Sequence, residues 1–206
     1  MTTDPGIARE TSGSLFEGRE ATVPILTANA IGIGILLAAC SVFLPVFLAI
    51  WGQTALLRGA LRFVRLEEMI PIFAVLIVMH ELLHAAGFLW LGRVDRRTIR
   101  FGVQWKTLTP YAHCSAPLPA KVYRIAVVLP GLLLGIMPCI IAVTIGSGWL
   151  LIWGILMTMA AGGDAAIIWA IRSVPGIIPV LDHPTKAGCL IGVPASTSIS
   201  TVTSAE

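Results

Sequence analysis

The chain has 206 residues, 56% of them hydrophobic and only 12% charged, and its mean hydropathy is +0.88. A soluble domain carries about 25% charged residues, so this composition marks a membrane protein and excludes an ordinary soluble enzyme. The net charge of +3 is small and scattered, with no basic run beyond Arg96-Arg97, which excludes a nucleic-acid partner.

Residues 1–22 are polar and mixed in charge, lack the basic start of a cleaved signal peptide, and are expected to be flexible. Residues 23–190 read as a single transmembrane domain with spans at about 23–51, 69–91, 123–145 and 149–171. The first span is longer than a bilayer requires, so it should tilt or bend near Pro45. Leu37-Ala38-Ala39-Cys40 looks like a lipoprotein cleavage site, but the apolar run continues past it, so Cys40 belongs to the helix interior. Between the first two spans, Arg58, Arg62 and Arg65 punctuate apolar residues at helical spacing. This fits a short helix on the membrane surface or an extension of the second span.

The second span carries His80-Glu81-Leu82-Leu83-His84, an H-E-x-x-H. Residues four apart share a helix face, so both imidazoles can reach one ion, while Glu81 lies beside them without taking a ligand position. Ionisable groups at membrane depth are costly, and this makes a functional role the default reading.

Residues 92–121 form the long polar connection. Ile99, Phe101, Val103 and Trp105 alternate with Arg100, Gly102 and Gln104, the period of a strand, and a second strand around Thr107–His113 would complete a hairpin. The third span contains Gly131-Leu-Leu-Leu-Gly135, a face of small residues that admits a neighbouring helix. Gly146-Ser147-Gly148 is a tight turn. The fourth span holds Asp164 among glycines and alanines, which should let the second and fourth spans approach closely. Residues 191–206 form a Ser/Thr-rich tail expected to be disordered. The expected fold is therefore an all-α membrane bundle of about four helices, with a short β-hairpin between spans two and three. With four spans, the side bearing both termini and the 92–121 loop holds 11 Lys and Arg against 3 on the other. The positive-inside rule makes that side cytoplasmic. The four cysteines have no C-x-x-C spacing and suggest packing rather than disulfides.

A catalytic zinc site needs three protein ligands and an open position. Beyond His80 and His84, the candidates are Asp164, His113, Asp182, His183 and the cysteines. Asp164 is the one other ionisable group near the middle of a span, and it lies as deep as His84, about 22 Å from the start of its own helix. His113, Cys114, Asp182, His183 and Cys189 could form a second metal site, but they match no zinc module and read better as hydrogen-bonding and packing residues. A substrate held extended would suit the edge of the Ile99, Phe101, Val103 strand.

Several segments together carry a family resemblance. They are the H-E-L-L-H in a span, Tyr111-Ala112-His113-Cys114, Tyr123-Arg124-Ile125-Ala126 with Leu129-Pro130-Gly131, Gly163-Asp164, and Asp182-His183-Pro184 with Gly188-Cys189. Over about residues 69–190 the chain resembles the zincin peptidase family of prokaryotic multi-pass membrane proteins, itself similar to the site-2 proteases. The resemblance implies a membrane-embedded zinc metallopeptidase acting on membrane proteins or peptides at the bilayer. It also implies zinc ligation by His80, His84 and Asp164, with Glu81 as the catalytic base. Gly162-Gly163 precede Asp164, whereas site-2 proteases usually place the glycine after the aspartate. The competing functions are a metal transporter or sensor and an inactive scaffold for a membrane partner. Glu81 separates the first from an enzyme, because a pure binding site needs no carboxylate beside its ligands, and the retention of all four site residues argues against the second.

Overall fold

The computed structural model describes residues 19–104, 109–183 and 186–192. Four helical stretches are long and apolar enough to cross a membrane: Ile25–Phe63, Leu66–Trp90, Ala120–Ile145 and Gly148–Ala170. In chain order the elements are β1 (Glu20–Thr22), α1 (Ile25–Phe63), α2 (Leu66–Trp90), β2 (Ile99–Gln104), β3 (Thr109–Cys114) and β4 (Leu118–Pro119). They continue through α3 (Ala120–Pro130), a π-helical turn at Gly131–Ile136, α4 (Met137–Ile145), α5 (Gly148–Ala160), α6 (Gly162–Ala170), β5 (Pro179–Asp182) and β6 (Gly188–Ile191).

The first span leaves helical geometry at Gly52 (φ 71°, ψ 172°), while Pro45 stays within the helical run. Only glycine reaches that backbone region without a steric penalty. The Arg-bearing segment beyond Gly52 is thus a short helix of its own, separate from α2, and Arg62 bridges to Glu68 at 2.8 Å. The fourth span is also broken, at Ala161, so Asp164 falls in the first turn of α6.

Small residues set the helix contacts. A methyl group at Gly87 would meet Ala126 at 2.7 Å, which brings α2 against α3. Within the small-residue face of the third span, Gly135 lies against Thr158 of α5, where a methyl group would stand 2.4 Å from the hydroxyl oxygen. The glycines beside Asp164 behave differently from expectation. A methyl at Gly162 would stand 2.4 Å from Gly32, so it admits α1 rather than α2, and Gly163 has open space beside it. The second and fourth spans therefore face each other across a gap. One buried cluster joins Phe47, Cys139, Leu151 and their neighbours between α1, α4 and α5. The other lies beneath the strands and includes Cys114, Leu118, Tyr123, Val180 and Cys189. All four cysteines are free.

The hairpin forms as its period of two predicts, with Ile99 opposite Cys114 and Phe101 opposite Ala112. Trp105, Thr107 and Leu108, which the sequence also assigned to these strands, lie outside the described residues. Ser115 N–H donates to Thr98 O at 2.9 Å, which fixes the phase of the ladder. Bonded and non-bonded pairs alternate in an antiparallel ladder, so the N–H groups of Ala112 and Cys114 point away from β2. The sequence reading did not include a second sheet: four antiparallel strands in the order β1-β6-β5-β4. Glu20–Thr22, within the stretch expected to be flexible, pairs with Gly188–Leu190. The segment that follows the fourth span is thus built into the fold through β5 and β6, and residues 193–206 of the expected tail lie outside the described residues.

Candidate metal and catalytic centre

Helix α2 places His80 and His84 one turn apart, with Nε2 atoms 3.2 Å from each other and ring planes inclined at 81°. From α6, Asp164 Oδ2 lies 3.1 Å from His80 Nε2 and Oδ1 lies 3.3 Å from His84 Nε2. The structure brings together these three of the sequence candidates. Among the described residues they are the one group of three or more His, Cys, Asp or Glu placed to share an ion.

The fit to a cation can be tested on the atoms themselves. His84 Nδ1 lies 3.3 Å from the carbonyl oxygen of Ala126. A carbonyl only accepts, so Nδ1 carries the proton, and in the neutral ring Nε2 presents a lone pair. Asp164 Oδ2 is buried and has no hydrogen-bond partner despite its proximity to His80. A buried, unmatched carboxylate oxygen beside imidazole lone pairs is costly unless a cation joins them. The separations of 3.1–3.3 Å also match the ~3.3 Å edge of a tetrahedron with ~2.0 Å bonds, the length of zinc–nitrogen and zinc–oxygen contacts. Donor types, tautomer and spacing all fit zinc. Asp164 gains further support from its place in the first turn of α6, where the helix dipole favours an anion.

Glu81 projects beside the cluster into a cavity of about 800 Å³, the space between α2 and α6. Ala112 on β3 lines the same cavity, with its N–H on the edge directed away from β2. The cavity is apolar at one end, with Phe73, Ile77 and Met157, and polar at the other, with His113, Asp182 and Lys186. Of the expected substrate-edge residues, Val103 lines this space and Ile99 and Phe101 do not, whereas Tyr111, Ala112 and His113 do. The hairpin packs on α2 through β3, so the edge nearest the cluster belongs to β3 and not β2.

The remaining candidates assemble a hydrogen-bond hub. Asp182 Oδ1 accepts from the Tyr123 hydroxyl at 2.5 Å, and Oδ2 accepts from Cys114 N–H at 2.8 Å. Burial pushes the Asp182 carboxyl up from its ordinary range, against the pull of those donors and of His113 and His84. Burial likewise raises the Cys114 thiol and pushes Cys189 up to about 12. His113 Nδ1 stands 4.0 Å from Asp182 Oδ2. His183 Nδ1 accepts from Lys186 N–H at 2.9 Å, and its Nε2 lies 3.7 Å from Glu20, which also holds Lys186 Nζ at 2.8 Å. Sequence reasoning missed Tyr123 and Glu20 as partners. The segment after the fourth span did carry a signal in two short apolar runs, Ile177-Ile178-Pro179-Val180-Leu181 and Cys189-Leu190-Ile191, around a polar turn.

The sequence profile of a family described as putative zincin peptidase matches residues 73–177, just over half of the chain. The matched stretch contains His80, Glu81, His84 and Asp164. No curated protein and no solved structure matches the chain.

Proposed function

The chain belongs to the putative zincin peptidase family, and from that membership we propose that it is a membrane-embedded zinc metallopeptidase acting on membrane or membrane-proximal polypeptides. The observation that carries this reading is the buried, partnerless Asp164 oxygen facing two imidazoles, with Glu81 beside them in one cavity.

His80, His84 and Asp164 would hold the metal, with Ala126 O orienting the His84 ring. Zinc, when bound, supplies a Lewis acid that polarises a carbonyl and makes water acidic near neutral pH. Glu81, bonded to no ligand role, accepts the proton of the attacking water and returns it to the leaving amine. The outward Ala112 amide is the backbone donor on the cavity wall available to that carboxylate. A peptide bond within a helix is already hydrogen-bonded and shielded, so the substrate unwinds before it is cut. The outward edge of β3 is the template for the extended segment. The apolar end of the cavity takes the part of the substrate that arrives from the bilayer, and the polar end faces its flanking residues. With 11 Lys and Arg on the hairpin side against 3 opposite, that end opens to the cytoplasm.

The test is Glu81→Gln. The variant should keep about one zinc per chain and lose detectable hydrolysis, because the residue acts on water and not on the ion. Metal content and peptide cleavage are measured on the same purified preparation, and full cleavage by the variant overturns the mechanism.

A further inference from the structure

We propose that His113 is a second catalytic residue of this cavity, donating a hydrogen bond to the oxygen of the attacked carbonyl. The inference rests on the peptidase reading above. Three observations lead to it. His113 lines the same cavity as Glu81, and it follows directly Ala112, which lines that cavity too and directs its N–H away from β2. A carboxylate lies on one side of its ring, outside the metal cluster. Asp182 stands 4.0 Å from Nδ1, and Asp182 itself is held on both oxygens by Tyr123 and Cys114. Oδ2, the oxygen that faces the imidazole, accepts from the Cys114 N–H and so presents an acceptor on this side. Nδ1 is the ring nitrogen on the Asp182 side, so Nε2 lies on the other side of the ring.

The reaction has a use for such a donor. Water oxygen bonds to the carbonyl carbon, and the π pair moves onto the carbonyl oxygen. The pair then returns as the C–N bond breaks and the amine leaves with the proton carried by Glu81. His113 gives up no proton; its N–H stabilises the oxygen while that charge is present. A donor aimed at developing charge in a water-poor site typically contributes about 10²–10³-fold to kcat.

The experiment uses the full chain, zinc-loaded in detergent, with a peptide substrate and two inhibitors on the same peptide frame. One is a phosphinic peptide, tetrahedral and anionic like the species formed from water and the carbonyl; the other is a planar hydroxamate. His113→Ala should lower kcat by about 10²–10³-fold with KM within about threefold of wild type. It should weaken the phosphinic peptide by about 100-fold and leave the hydroxamate within about threefold, with zinc content unchanged. His113→Gln, which keeps an N–H donor, should recover part of both losses. Unchanged kcat and phosphinic binding in His113→Ala overturn the role. So does equal loss of both inhibitors, which is what a purely structural histidine would give. Glu81→Gln is run alongside. If it hydrolyses like wild type, the peptidase reading falls and the role with it; if it is inactive while His113→Ala is normal, only His113 loses its role.

Discussion

Asp164 and Asp182 occupy one cavity and differ in what their oxygens meet. Both oxygens of Asp182 accept ordinary donors, whereas Asp164 Oδ2 has none and faces histidine nitrogens. Asp164→Asn should therefore lose most bound zinc, and Asp182→Asn should keep it, as read by elemental analysis of the purified variants. The reverse pattern would move the metal centre to the tail. Asp182→Asn should instead lower the thermal midpoint, since a hydrogen bond to a charged acceptor contributes about 1.5–3 kcal/mol. The two strand cysteines give a separate prediction. Burial raises both thiols, Cys189 to about 12, so the thiolate is scarce at neutral pH. Maleimide should label them slowly in the native protein and rapidly after denaturation; fast native labelling of either contradicts the packing. At this scale the histidine pair was legible because four-residue spacing on a helix is a local property. Asp164 was reachable as the lone carboxylate within a span, set among small residues at the depth of His84. The Ala126 carbonyl that fixes the His84 tautomer was not, because every residue carries a carbonyl and only the crossing of α2 and α3 selects this one.

The hairpin shows how far periodicity reaches among the elements. Alternation in Ile99–Val103 identified a strand, yet it carries no information about which edge faces the active cavity. Packing of β3 on α2 decides that, and the ladder phase leaves the Ala112 N–H directed outward. Ala112→Pro removes this one donor without touching the β2 ladder. It should impair cleavage of long peptides more than zinc binding, and equal loss of both would point to a collapsed hairpin. The glycines near Asp164 were legible as a close contact but not as a contact with α1. Gly162→Val forces a side chain into Gly32, and overpacking of this kind costs about 1–3 kcal/mol. Thermal unfolding in detergent reads that loss directly. The break at Gly52 falls where the sequence reading ended the first span, whereas the break at Ala161 interrupts a hydrophobic run that composition treats as continuous, which is why the fourth span appeared unbroken in sequence.

For the whole molecule, four apolar stretches and the hairpin between the second and third were legible because hydropathy and loop length are summed over many residues. The sheet joining the two ends was not, since the β1 and β6 partners lie far apart in sequence and each is only a few residues long. Orientation gives the prediction at this scale. Single cysteines at Thr98 and Ser147, probed from outside intact cells, should label at 147 and stay dark at 98; the opposite result inverts the topology. The pairing of Glu20–Thr22 with Gly188–Leu190 also imposes an order on the protein's manufacture. β1 is among the first described residues to leave the ribosome, and its partner is among the last. All four spans must be made before the strand has a neighbour. Lys186 and Gly188, which wall the polar end of the cavity, arrive in the same final stretch. A nascent chain thus carries its histidines, glutamate and Asp164 for some time before that wall exists, and the centre becomes enclosed only as synthesis of this region finishes.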